Sequence, residues 1–198
     1  MKGNREKIGL FGGSFDPVHN GHMALAERAL DFAGLDRVLF IPTANPPHKV
    51  GRELTGFEIR QRMVDLAIRD NPRYELSLHE KKDRVSYTFE SILHFRDKGY
   101  GREQLHYLMG GDSLGEISEW KNPEIIFRNA TVISLSRPGY QGLSPFPPDA
   151  AVIILEHGKC GVSSTEVRKT VREHGSIRDM VPDKVAEFIT ENSLYGRE

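Results

Sequence analysis

The chain has 198 residues, of which 38% are hydrophobic, and its net charge is −1. This length can bury one good core, and the near balance of 27 Lys plus Arg against 28 Asp plus Glu gives no general attraction to nucleic acid or anionic lipid. The lone Cys160 excludes an internal disulfide and suits a reducing cytoplasm, and no apolar run approaches the ~18 residues of a membrane helix.

Strands and helices alternate along the predicted chain. Short apolar runs predict strands at residues 8–11, 38–41, 74–78, 105–109, 131–135 and 152–155. Helical patterns predict helices at residues 23–33, from a capping box at Thr55–Glu58 to about Asp70, and at 88–98, 123–128, 165–173 and 182–192. Gly99 should end the helix at 88–98. This order predicts an α/β fold with a parallel sheet and helices on both of its faces.

The junction after the first predicted strand is crowded with groups that bind phosphate. Gly12 and Gly13 let the backbone approach a ligand closely, because neither has a Cβ atom. A helix start offers unpaired N–H groups and the positive end of its dipole, so it holds an anion without a formal charge. His19 and His22 can point the same way across the first turn and donate to phosphate oxygens that gain charge in a reaction.

The two histidines also have plainer interpretations. H-x-x-H is half of a zinc site, although no third ligand is evident nearby, since Cys160 is the only cysteine and Asp16 suits a turn. His19 could equally be an ordinary helix cap and His22 a surface residue. The glycines, the Ser14 hydroxyl, the Asp-Pro step and both histidines together favour a phosphate site.

A second helix start with phosphate-binding groups is predicted near the carboxyl end. Ser163 and Glu166 have the spacing of a capping box, with hydroxyls on neighbouring residues and Arg168 one turn in. The fork of an arginine makes paired hydrogen bonds with phosphate. A plain capped helix with a solvated arginine is the alternative for this segment alone. Two such helix starts in one chain favour a polyphosphate ligand.

The motifs follow the predicted strands. In parallel α/β sheets, ligands lie beyond the carboxyl ends of the strands. Gly12 follows the first predicted strand and Pro42 follows the second. Gly110 follows the strand at 105–109, and Arg137 follows a later strand. The fingerprint G-x-G-x-x-G and the P-loop G-x-x-x-x-G-K-[ST] are both missing, which argues against a dehydrogenase and a P-loop kinase.

The segment Gly12–His22 resembles the signature of the H-x-G-H nucleotidyltransferases. Further stretches, in order along nearly the whole chain, are similar to one branch, the nicotinate-mononucleotide adenylyltransferases. These stretches are Ile41–Lys49 with Pro-Pro-His-Lys, Ser86–Thr88 with Ser-Tyr-Thr, Gly110–Leu114, Trp120, Arg137–Tyr140 and Val162–Arg168. Pro-Pro-His-Lys and Ser-Tyr-Thr narrow the resemblance to the nicotinate branch.

The resemblance implies a single-domain, Rossmann-like, doubly wound parallel sheet of the nucleotidyltransferase type over residues 1–198. Residues 1–7 would be a flexible start, and helices in 170–198 would pack on the sheet domain. The implied reaction transfers the adenylyl group of ATP to nicotinate mononucleotide, giving deamido-NAD and pyrophosphate for NAD biosynthesis. Mg²⁺ would come with ATP, without a metal site in the protein. We expect a cytoplasmic protein with small-molecule substrates and no nucleic-acid or membrane partner, while a homo-oligomer stays open.

The resemblance and the phosphate chemistry together assign roles to named residues. We expect catalytic roles for His19, His22, Ser14, Lys49 and Arg168. We expect ATP to bind at Gly12, Gly13, Ser14, Phe15, His19, Gly21, His22, Gly110, Asp112, Ser163, Ser164, Thr165 and Arg168. The acceptor nucleotide is expected at His48, Lys49, Thr88, Phe89, Asp112, Trp120, Lys121 and Arg137.

Two departures from the family pattern stand out. Ser14 replaces a common Thr and keeps the hydroxyl, whereas Lys121 replaces a common Tyr, which leaves open the preference for nicotinate over nicotinamide. Rival functions are a pantetheine-phosphate adenylyltransferase, a cytidylyltransferase, a non-catalytic nucleotide sensor, and RNA binding through Lys81, Lys82 and Arg84. The cationic cluster lacks interleaved aromatic residues, which favours a solvated face.

Overall fold

A parallel sheet lies at the centre of the computed structural model, which describes residues 6–46, 54–80, 85–135, 146–155 and 161–196. All six strands of the described chain run parallel, in the order β3-β2-β1-β4-β5-β6. They are β1 (Ile8–Gly13), β2 (Arg37–Pro42), β3 (Tyr74–Leu76), β4 (Leu105–Gly110), β5 (Thr131–Leu135) and β6 (Val152–Leu155). The doubly wound α/β fold that the sequence predicts is therefore confirmed.

Helices cover both faces of this sheet. They are α1 (Asn20–Ala33), α2 (Phe57–Ile68), α3 (Thr88–Asp97), α4 (Gly111–Gly115), α5 (Pro123–Asn129), α6 (Ser164–Arg172) and α7 (Asp183–Glu191). Since side chains alternate along a strand, β4 sends Leu105, Tyr107 and Met109 to a core with α3 and α5, and Leu108 to a core with α1, α2, α6 and α7. No helix in the described part of the chain is both long and apolar enough to cross a bilayer.

The order of the strands fixes where a ligand can bind. From β1 the chain moves outwards to β2 and β3, and then returns to the other side of β1 at β4. The loops after β1 and β4 therefore leave in opposite directions and open a crevice at the carboxyl edge of the sheet. Gly13 pairs with Pro42, and Gly110 with Leu135, so the predicted motifs end at this one edge.

Most predicted elements are confirmed within a few residues, and two details differ. Helix α1 begins at Asn20 rather than Met23, because His19 serves as its N-cap. The predicted capping box at Thr55 was wrong, since Gly56 is the N-cap of α2. The Thr55 amide donates to Asp16 Oδ2 at 3.4 Å and its carbonyl accepts from Arg60, so tertiary contacts occupy its main chain. Gly99 ends α3 with a φ of +93°, as expected.

Candidate functional site

A cleft of about 640 Å³ opens at the carboxyl ends of β1 and β4. It brings together residues that the sequence places in separate motifs more than a hundred positions apart. The expected site residues that line it are Gly12, Gly13, Ser14, His19, Gly21, His22, Thr88, Gly110, Trp120, Lys121, Ser163, Ser164, Thr165 and Arg168. Both histidines and the distant arginine thus share one cavity, as a triphosphate site requires.

Some expected site residues are not brought to this lining. The Phe15 side chain is 1% exposed and packs beneath His22, with ring centroids 5.0 Å apart, so it supports the site from the core. Phe89, the second residue of α3, packs against the core on this face of the sheet. His48, Lys49 and Arg137 lie outside the described residues, as do Lys81, Lys82 and Arg84, and the side chain of Asp112 is not described.

The two histidines lie at the start of α1 in a fixed arrangement. Their rings are stacked with centroids 3.6 Å apart. The backbone N–H of His19 donates to Nδ1 of His22 at 3.1 Å. Because Nδ1 accepts a hydrogen bond, the neutral imidazole of His22 carries its proton on Nε2. His22 is therefore arranged to donate from Nε2.

The signature loop between β1 and α1 is held by distant parts of the chain. Asp16 is 2% exposed, and its Oδ1 accepts a 2.7 Å hydrogen bond from the hydroxyl of Tyr195. Its carbonyl accepts from Nη1 of Arg168 at 2.6 Å, and Ser164 Oγ donates to the Pro17 carbonyl at 2.8 Å. These bonds place the start of α6 directly against the start of α1, so the two predicted phosphate sites form one.

Glycine at position 21 permits this close approach. A Cβ atom added to Gly21 would lie 3.0 Å from Nδ1 of His19 and 3.2 Å from the Val162 carbonyl. Both distances are tighter than ordinary van der Waals contact. The glycine of the H-x-G-H signature therefore makes room for the segment that leads into α6.

A buried arginine ties the strand-end loops together. The Arg60 side chain is 1% exposed and donates from Nε to the carbonyl of Thr55 at 2.8 Å. Its Nη1 donates to the carbonyls of Ser14 at 2.7 Å and Thr43 at 2.9 Å, and its Nη2 to that of Ala44 at 3.2 Å. Burial lowers the pKa of Arg60, and the carboxylate of Asp16 opposes this. The guanidinium thus fixes the spacing between the loops after β1 and β2.

A second part of the cleft wall is aromatic. Tyr107 is buried, and its hydroxyl lies 3.2 Å from Oγ1 of Thr88 at the start of α3. Burial raises the pKa of Tyr107 far above its ordinary value, so the phenol is neutral. The ring of Trp120 meets the ring of Tyr107 edge to face at 6.5 Å. Trp120 therefore has a buried support and a face towards the cleft that could stack on a planar ring.

Gly12 has no room for a side chain beside this wall. A Cβ there would lie 2.5 Å from the Tyr107 hydroxyl. We expect Gly12→Ala to lower kcat/KM at least about tenfold, because a shift of the wall by a fraction of an ångström misplaces bound substrate. Gly56→Ala, where nothing lies within 4 Å, is the control. Adding Tyr107→Phe to Gly12→Ala should recover part of the loss, and no recovery would assign the defect to another cause.

A carboxyl group is buried beside the cleft. Glu80 lines it, is 8% exposed, and its Oε1 accepts a hydrogen bond from the Ser91 hydroxyl. Burial raises the pKa of Glu80, although hydrogen bonds from Ser91, Thr43 and Ser86 lower it in part. Glu80 thereby links the end of β2 to the Ser86–Thr88 segment.

We predict that Glu80→Gln stabilises the protein at high pH. Because the folded pKa is raised, the wild type loses stability as pH rises from the ordinary value near 4.5 through the folded pKa. The variant escapes this loss, so its Tm should exceed that of the wild type by a few degrees at pH 8 and converge with it near pH 5. Glu187→Gln, at an exposed position of α7, controls for the loss of one charge. A difference in Tm between the variant and the wild type that widens towards acid pH would contradict the prediction.

Sequence reasoning missed Arg60, Tyr195, Tyr107 and Glu80. Arg60 had a readable signal, since it occupies the buried stripe of α2 with Met63 and Val64. An arginine in an apolar stripe is buried only when its donors are satisfied. The other three lie in apolar or loop contexts that look structural, and only the tertiary contacts give them a place at the site.

The cleft is suited to polyanions and planar rings. Its lining includes the starts of α1 and α6 with the guanidinium of Arg168. A second group of lining side chains, Trp120 beside Tyr107 and Lys121 over Tyr87, forms what we call the aromatic end. Two of the five donor directions of Arg168 are used by Asp16 and, at 3.4 Å, by Thr165 Oγ1. In the described ranges, no group of three or more His, Cys, Asp or Glu side chains is placed to hold a metal ion.

Comparisons with known proteins agree with this geometry. Residues 10–170 match the family described as cytidylyltransferase-like. The chain is 38% identical to "Probable nicotinate-nucleotide adenylyltransferase" of Clostridium tetani (96% of this chain, 99% of the relative), and 34% identical to nicotinate-nucleotide adenylyltransferase of Bacillus subtilis (96% and 98%). The solved structure of Plasmodium falciparum nicotinic acid mononucleotide adenylyltransferase complexed with NaAD matches with a TM-score of 0.79 at 19% identity, over 96% of this chain and 97% of that one. This last likeness shows the fold.

Proposed function

Because the chain belongs to the nicotinate-nucleotide adenylyltransferases, within the cytidylyltransferase-like family, we propose that its cleft transfers the adenylyl group of ATP to nicotinate mononucleotide by direct in-line displacement. The product is deamido-NAD, and the reaction is a step of NAD synthesis. An oxygen of the acceptor 5′-phosphate forms a bond to the α-phosphorus of ATP. The bond from that phosphorus to the bridging oxygen of the β-phosphate breaks, and pyrophosphate leaves.

The reaction needs no general base. The second pKa of a phosphate monoester is about 6, so the attacking phosphate is mostly a dianion at neutral pH. Catalysis is therefore a matter of holding two polyanions in line and neutralising the charge that develops. The cleft offers donors for this task from two helix starts that converge on one space.

His19 and His22 are proposed to contact the α-phosphate. Their rings are stacked at the start of α1, and the bond to Nδ1 of His22 leaves its Nε2 proton as the donor. The α-phosphate oxygens gain charge as the new bond forms, and preorganised donors stabilise that charge more than the ground state. Ser14 and Lys49 would help to hold the reacting phosphates.

The β- and γ-phosphates are proposed to lie at the start of α6. Ser163 caps this helix, and Ser164, Thr165 and Arg168 add hydroxyls and a guanidinium to its free amides. Neutralising this end makes pyrophosphate a better leaving group. Gly12, Gly13, Gly21 and Gly110 let the nucleotide approach the backbone, with Phe15 in support below.

The acceptor is proposed to occupy the aromatic end of the cleft. Its pyridine ring would stack on Trp120, and the first amides of α3, near Thr88 and Phe89, would receive the ring carboxylate. Asp112 would accept from ribose hydroxyls, and His48 and Arg137 would act near the substrates.

Mg²⁺ enters as part of the ATP substrate in this proposal. The ion is reluctant to lose its water shell and is usually bound through substrate phosphates with one or two protein oxygens at most. It neutralises part of the triphosphate charge. We propose that the enzyme acts in the cytoplasm. Because the residues of the site span positions 12 to 168, we also propose that residues 1–198 act as one domain.

The observation that carries the proposal is the shared cleft of His19, His22 and Arg168. The test is to incubate the protein and Mg·ATP with nicotinate mononucleotide, nicotinamide mononucleotide or phosphopantetheine, and to measure pyrophosphate and dinucleotide. We expect turnover with nicotinate mononucleotide that is abolished by EDTA and restored by Mg²⁺. Turnover with phosphopantetheine alone, or with no acceptor, would refute the proposal.

A further inference from the structure

A lysine is held at the rim of the cleft by an aromatic ring. Nζ of Lys121 lies 4.2 Å from the centroid of the Tyr87 ring, and both residues line the cleft beside Trp120. A cation over an aromatic face is attracted by the negative charge of the π-system. This contact restricts a side chain that would otherwise sample many rotamers, and it keeps the ammonium near the ring-binding end of the cleft.

The charges around this lysine give it a specific task. Glu116 and Glu119 also line the cleft, in the segment that leads to Trp120. Their carboxylates make this rim unfavourable for an anion unless a cation lies between them and the ligand. Lys121 follows Trp120 directly in the chain, and its ammonium lies over the ring of Tyr87, the residue before Thr88, whose amide is proposed to receive the ring carboxylate.

We propose that Lys121 selects acceptors whose pyridine ring bears a carboxylate over those whose ring bears a neutral carboxamide. This inference rests on the proposed function, since it requires the acceptor ring at Trp120. The ammonium attracts a charged carboxylate more strongly than it attracts the dipole of a neutral carboxamide. Water in the cleft screens only part of this difference. Lys121 acts on acceptor specificity and leaves the binding of ATP alone.

The experiment compares Lys121→Met and Lys121→Arg with the wild type. The first keeps the chain length and removes the charge, and the second keeps the charge. Lys98→Met is the matched control, since Nζ of Lys98 also lies over a ring, 5.3 Å from the centroid of Phe95, away from the cleft. The readout is kcat/KM for nicotinate mononucleotide divided by kcat/KM for nicotinamide mononucleotide, with the KM for ATP and the Tm of each variant.

We expect Lys121→Met to lower this ratio about fivefold, the scale of a partly exposed charge pair, and to leave the KM for ATP unchanged. Lys121→Arg and Lys98→Met should keep the ratio of the wild type. The difference in this ratio between the wild type and Lys121→Met should shrink in high salt, because the ammonium and the ring carboxylate would meet near the surface.

An unchanged ratio in active Lys121→Met would overturn the inference while the proposed function stands. If that unchanged ratio came with an equal loss of kcat/KM for both acceptors, the ammonium would act on a group that the acceptors share. A wild type without turnover on either mononucleotide would overturn the proposed function, and the inference with it.

Discussion

Replacing His22 with Ala should lower kcat at least about 100-fold, the scale for removing a donor that stabilises transition-state charge. The ring proton of His22 lies on Nε2 because Nδ1 accepts from the His19 backbone. The α-phosphate needs this donor most when the new P–O bond is forming, so kcat should fall more than the affinity for ATP. Steady-state release of pyrophosphate at saturating substrates measures the effect.

Loss of the His22 ring also removes a cap from α1, so the effect on stability must be separated from the effect on activity. His22→Asn offers a side-chain oxygen near the position of Nδ1 and lacks a donor that reaches as far as Nε2, so it should keep the Tm and still be slow. His174→Asn replaces an exposed histidine of positive φ outside the cleft and is the control. Near-normal turnover of either His22 variant would remove this residue from the chemistry.

Replacing Arg168 with Ala should lower kcat/KM for ATP by about 100-fold or more, because the substitution removes both a charge and a hydrogen bond from the site. The guanidinium supplies positive charge at the proposed β- and γ-phosphate site, and its Nη1 holds the Asp16 carbonyl of the signature loop at 2.6 Å. Removing it leaves the leaving group less neutralised and frees the loop that positions the histidines. The KM for the acceptor should change little.

Two further variants separate charge from geometry. Arg168→Lys keeps the charge, but an ammonium cannot serve a carbonyl and a phosphate with the planar fork of arginine, so we expect intermediate activity. Arg172→Ala, one turn further along α6 and exposed, should match the wild type. A raised KM for the acceptor with a normal KM for ATP would show that Arg168 serves the other half of the cleft.

The parts of the fold that depend on local chemistry could be predicted from the sequence. Ser163 caps α6 through the amide of Glu166, as its spacing predicts, because a cap is made within one turn. Thr55 has the same spacing with Glu58 and fails, because Asp16 and Arg60 use its main chain. Tertiary contacts override a local preference, and the sequence does not reveal them.

The site follows the same division. The two helix starts with their histidines and arginine could be read from the chain, since phosphate chemistry restricts which residues occur together. The supports of the site could not. Arg60 reaches carbonyls in two separate loops, and Tyr107 faces Gly12 across strands that are neighbours only in the folded sheet. Such contacts have no spacing to recognise.

The hydrogen bond from Tyr195 to Asp16 joins residues that are 179 positions apart. During translation, Asp16 leaves the ribosome long before Tyr195 has been polymerised. Until the tyrosine emerges, Asp16 lacks this hydrogen bond, and water solvates the carboxylate oxygen that Tyr195 later contacts. We therefore expect the signature loop of a nascent chain to reach its final geometry only after the segment that follows α7 has docked.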